Sequence, residues 1–120
     1  MKEVQILVVD DYPELRESLS DILAGENRRV FMAEDGLDAL RVIEENDIKV
    51  VISDIMMPNM DGVELLRKIK ERPLSPHVLL ISGFSQYTRQ QVIEAGGIDL
   101  IDKPVQINEL MRTIDELIAA

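Results

Sequence analysis

A chain of 120 residues, 46% apolar and 30% charged, has the size of one domain, and such a domain buries roughly two-thirds of the surface that its unfolded chain exposes. Its 13 Lys and Arg against 23 Asp and Glu give a formal net charge of -10, a field that repels nucleic-acid phosphates and anionic lipids, so neither is an expected partner. The lack of cysteine excludes a disulfide scaffold and thiolate chemistry; with no signal-peptide pattern after Met1 and no apolar run of membrane-spanning length, one cytoplasmic domain over residues 1–120 is expected.

Five short apolar runs read as strands: Val4 to Val9, Val30 to Ala33, Val50 to Ile55, His77 to Ile81 and Ile98 to Ile101. Helical spacing follows each. After the first run come Leu15, Leu19, Ile22 and Leu23, with Pro13 near the start and Gly25 near the end. Next come Leu37, Leu40 and Ile43, then Val63, Leu66 and Ile69. The segment from Gln86 to Ala95 predicts a helix anchored by Val92 and Ile93 and closed by Gly96-Gly97, and Ile107, Leu110, Met111, Ile114, Leu117 and Ile118 form the last stripe. The near-continuous runs Ile6 to Val9 and Val50 to Ile52 suit strands covered on both faces. Alternating strands and helices with short connections predict right-handed crossovers and a single three-layer α/β domain with a parallel five-stranded sheet.

In such sheets ligands sit beyond the carboxyl ends of the strands, where the strand order reverses. The polar residues after each apolar run are therefore the ones to examine: Asp10-Asp11, Asp54, Ser82 and Asp102-Lys103-Pro104. Taken singly, each has an ordinary structural role, such as a helix cap or a turn. Together they place three carboxylates, a hydroxyl and a cation at one end of the sheet. Carboxylates that close repel unless a cation joins them, and oxygen ligands without His or Cys favour magnesium, calcium or manganese. Magnesium suits the set best, because it takes few carboxylates and leaves positions for a phosphate oxygen. A carboxylate is also a competent nucleophile towards phosphorus, with Lys103 and Ser82 available to phosphoryl oxygens.

These residues resemble the receiver domain of bacterial two-component response regulators, over the whole chain. The match takes in Asp10-Asp11, the run Asp54-Ile55-Met56-Met57-Pro58-Asn59-Met60-Asp61-Gly62, Ser82-Gly83 and Lys103-Pro104. The resemblance implies a flavodoxin-like (βα)5 fold with strand order 2-1-3-4-5. It implies that Asp54 is the phosphoacceptor and that Asp11, Asp54 and the backbone carbonyl of Met56 ligate Mg2+, with Asp10 acting through water. Ser82 and Lys103 would contact the phosphoryl oxygens, and the Lys103-Pro104 bond is expected to be cis. The implied donor is a phosphohistidine of a sensor histidine kinase or phosphotransfer protein. The implied output is a change in the fourth helix, fifth strand and fifth helix, within 84–119, that serves a downstream effector or a homodimer. The chain is then a signalling switch, not a turnover enzyme.

His77 begins a strand and is not expected to be a phosphodonor, and Met56, Met57 and Met60 read as gap-filling residues near a loop. One position departs from the family pattern: Leu100 stands where many relatives carry Tyr or Phe. An inward-swinging ring there is not the readout, which leaves the Ser82-Gly83-Phe84 loop, felt by Tyr87. The chief alternative is a receiver-like interaction module that is never phosphorylated. A flavin carrier would need a phosphate-binding loop where Asp10-Asp11 stand, and an Asp-nucleophile phosphatase would need an added general acid and a covering insertion.

Overall fold

The computed structural model describes residues 3–73, 75–83 and 86–119. Strands and helices alternate as β1 (Val4–Val9), α1 (Pro13–Leu23), β2 (Arg28–Ala33), α2 (Gly36–Glu45), β3 (Ile48–Asp54), α3 (Gly62–Lys70), β4 (His77–Ser82), α4 (Arg89–Glu94), β5 (Asp99–Asp102) and α5 (Ile107–Ala119). All four pairings are parallel, in the order β2-β1-β3-β4-β5. This is the flavodoxin-like (βα)5 architecture, and the order reverses between β1 and β3. The register aligns the carboxyl ends: Val9 pairs with Ala33 and with Ser53, Asp54 with Ile81, and Ser82 with Asp102.

The two-residue period of the strands divides the core into two layers. Leu7, Val9, Val51, Val78 and Leu80 pack with Ala39 and Val42 of α2, Val63, Leu65, Leu66 and Ile69 of α3, and Val92 of α4. Ile6, Val8, Val50, Ile52, Leu79 and Ile81 pack on the other side with Leu23 of α1 and Leu110 and Ile114 of α5. Each fully buried Leu or Ile contributes about 1.5–3 kcal/mol. Surface pairs such as Arg41–Asp38 are screened by solvent and add little. The two apolar layers therefore hold the fold. No helix among the described residues is long and apolar enough to cross a membrane.

Some helix faces differ from the sequence expectation. On α2 the buried residues are Gly36, Ala39 and Val42, while Leu37 is 69% exposed. The Asp35 carboxylate caps the helix by accepting the Asp38 N–H, and small residues let α2 approach the sheet, so the buried face lies to one side of the Leu37–Leu40–Ile43 stripe. On α4 the helix starts only at Arg89, behind a Thr88–Gln91 capping box, and Val92 is buried while Ile93 is exposed. On α1, Leu15 and Ile22 are exposed rather than buried. They border an apolar cavity of ≈ 290 Å³, with Ile52, Val105 and Ile107 also in its wall, which reaches Asp54 and Lys103.

Candidate functional site

Asp10 directly follows β1, and Asp54 ends β3 on the neighbouring strand. That adjacency brings Asp10, Asp11 and Asp54 together: one carboxylate oxygen from each lies within 4.8 Å of the others. Asp10 and Asp54 are only 9% and 8% exposed, while Asp11 is open to solvent. At that spacing the like charges repel one another, most strongly between the buried pair Asp10 and Asp54 and less for Asp11, which water screens. Burial pushes the Asp10 carboxyl above the usual carboxylate range, and the charges of Asp54 and Asp11 add to the rise. The Tyr12 N–H and Lys103 act against it. The donors are oxygens alone, clustered and partly open, which fits magnesium and offers no soft ligand for zinc or copper.

Neither Asp10 nor Asp11 caps α1; that place is taken by Tyr12, whose side chain makes no cap bond. The Asp10 carboxylate instead accepts the Tyr12 N–H at 2.9 Å, turning the chain tightly from β1 into the Pro13 start of the helix. The Asp54 carboxylate is held at both oxygens. Oδ1 accepts the Met56 N–H at 3.2 Å and Oδ2 accepts the Lys103 ammonium at 3.0 Å. The Lys103 backbone is fixed at the end of β5, its N–H donating to the Ser82 carbonyl at 2.9 Å, and the Lys103-Pro104 bond is cis, as expected. Ser82 is 3% exposed, and its Oγ is buried with no hydrogen-bond partner among the described residues. A buried hydroxyl left in that state costs about 1–3 kcal/mol unless something else satisfies it.

The β3–α3 connection is held by backbone bonds. Ile55 N–H donates to Ile81, Gly62 N–H donates to the Ile55 carbonyl, and Asn59 sits at φ 69°. Within it Met57 is buried and Met60 packs on the core, but Met56 is 62% exposed beside Asp54 and fills no gap. His77 opens β4 at the opposite end of the sheet, and burial, with Lys49 and Lys70 nearby, lowers its pKa. Leu100 packs against the helix-side core in β5. Tyr87 donates to the Asp61 carboxylate at 3.2 Å, while Phe84 lies outside the described residues. Sequence reading missed Arg16, whose guanidinium donates to the Asp10 carbonyl at 2.7 Å. It lies six residues on, inside a helix, and a search of strand ends does not reach it.

The carboxyl edge of this flavodoxin-like parallel sheet thus gathers an acidic trio, a lysine and a buried hydroxyl. The family model for the response regulator receiver domain matches residues 6–115, and the chain belongs to that family. It is 37% identical over 113 residues to the sensor histidine kinase RcsC of Salmonella typhi, covering 93% of this chain but 12% of that protein. It is 32% identical to the chemotaxis protein CheY of Halobacterium salinarum, covering 97% of this chain and 98% of the other. A solved CheY-like receiver domain protein from Methanospirillum hungatei superposes with a TM-score of 0.88 at 31% identity, covering 98% and 96% of the two chains.

Proposed function

We propose that this receiver domain is a phosphoacceptor switch: Asp54 takes a phosphoryl group from a phosphohistidine of a sensor kinase or phosphotransfer protein. The observation that carries the reading is the Asp54 carboxylate itself, fixed between the Met56 N–H and the Lys103 ammonium beside two further aspartates. An Asp54 oxygen forms the bond to phosphorus, the phosphorus–nitrogen bond breaks, and the electron pair stays on the imidazole nitrogen, which takes a proton from solvent. Orientation does most of the work in such a transfer. Lys103 neutralises charge on the phosphoryl oxygens, and the Ser82 hydroxyl, which has no partner among the described residues, donates to one of them. Asp11 and Asp54 with the Met56 carbonyl would hold Mg2+, and Asp10 would act through water; the ion, when bound, supplies positive charge that offsets the acidic cluster and the incoming phosphoryl group.

The phosphoryl group replaces a carboxylate charge by a dianion with several acceptor oxygens, which draws Ser82 and Lys103 inward. Both belong to backbone that continues into α4, β5 and α5, so that face is the output, serving an effector or a second copy. It is a switch and not a turnover enzyme. Its site is a cytoplasmic one, and its charge of -10 argues against direct nucleic-acid contact.

The test is intact mass after incubation with acetyl phosphate, with and without magnesium, for the wild type and Asp54→Asn. One phosphoryl adduct that requires both magnesium and Asp54 is the expected result. A folded protein that acquires none, beside a control receiver that does, points to an interaction module that is never phosphorylated.

A further inference from the structure

From the brace between α1 and the end of β1 we infer that Arg16 is a positioning residue for the divalent-cation site, setting the Asp10-Asp11 peptide so that the carboxylates converge. The inference rests on the phosphoacceptor reading above. Asp10 is tied at three points: its N–H donates to the Ala33 carbonyl of β2 at 3.2 Å, its carboxylate accepts the Tyr12 N–H, and its carbonyl accepts the Arg16 guanidinium at 2.7 Å. That carbonyl belongs to the peptide linking Asp10 to Asp11, so the plane that Arg16 holds carries the Asp11 Cα with it. Asp11 is exposed and follows the strand, beyond the reach of the sheet's own ladder. The Arg16 backbone is meanwhile locked in α1, its N–H donating to the Tyr12 carbonyl and its carbonyl accepting the Ser20 hydroxyl. The side chain thus spans two fixed points.

Position and charge make opposite predictions here. As a cation bonded to the Asp10 carbonyl, Arg16 adds positive charge next to the Asp10-Asp11 step, and on charge alone neutralising it tightens metal binding. As a brace it organises the ligands, and losing it weakens binding. Partners one step out from metal ligands typically carry about a 10–100-fold effect on affinity.

The experiment is calorimetric titration of the metal-free 120-residue chain with magnesium chloride, for the wild type, Arg16→Met and Arg16→Lys, well below each melting temperature. Amide chemical shifts of Asp11 and Tyr12 are recorded without metal. Expected are a loss of about tenfold in magnesium affinity for Arg16→Met, recovery to within about threefold for Arg16→Lys, and displaced Asp11 and Tyr12 amides in Arg16→Met alone. Unchanged or tighter binding by Arg16→Met overturns the inference, as does a lysine variant that binds as poorly as the methionine one. A wild type that binds no magnesium sinks the phosphoacceptor reading itself.

Discussion

At the Asp10 side chain, burial and charge conflict with hydrogen bonding. Burial and the neighbouring Asp54 and Asp11 disfavour the carboxylate, yet one of its oxygens is needed to accept the Tyr12 N–H. Asparagine keeps that acceptor and drops the charge. Asp10→Asn is therefore expected to melt several degrees higher than the wild type in chelator, a gain on the order of 1 kcal/mol. It should also gain less stability from added magnesium. Melting curves in chelator and in magnesium, recorded for both proteins, check the two halves; a variant that melts lower without metal shows that repulsion is not what the cluster stores.

Among the elements, the β3–α3 connection has the least room for change. A Cβ on Gly62 would lie 2.6 Å from the Asp54 carbonyl oxygen and 2.9 Å from the Ile55 Cα, both backbone atoms that cannot step aside. On Gly36 the three atoms nearest a Cβ all belong to the Met60 side chain, the nearest being its Sδ, which can move more readily than backbone. Gly62→Ala should thus cost about 2–3 kcal/mol and displace Asp54, whereas Gly36→Ala should cost less than about 1.5 kcal/mol. Urea denaturation measures the difference, and equal costs for the two would mean that the connection yields. The same closeness explains what sequence periodicity misjudged on α2: the stripe of large residues was visible, but Gly36 and Ala39, the residues that allow close packing, define the buried face.

Across the molecule, a charge of -10 is spread over a body only 40 × 31 × 27 Å in extent. At ionic strengths near 0.01 M, where screening extends about 30 Å, every carboxylate feels the others; at 0.1 M the range falls to about 10 Å. Metal-free protein should therefore melt on the order of 5 °C higher in about 0.3 M potassium chloride than in about 0.01 M. Scanning calorimetry in chelator tests this. A melting temperature that does not rise with salt would place the dominant repulsion in the close acidic cluster, where diffuse counter-ions have little effect.

What the amino-acid order determined by itself was the alternation of elements and the end of the sheet that bears chemistry. Runs such as Ile6 to Val9 have no polar face to give solvent, so they become central strands, and Asp10, Asp54, Ser82 and Lys103 then follow at their carboxyl ends. The strand order and the cis Lys103-Pro104 bond were legible only through family resemblance. Tertiary structure alone decided that three carboxylates meet within 4.8 Å, that Lys103 grips Asp54 across 49 residues of sequence, that Met56 and Leu37 face solvent, and that Arg16 reaches back to Asp10. Those outcomes depend on strand register, helix approach and side-chain reach, which are set by contacts between distant segments and leave no periodic trace in the chain.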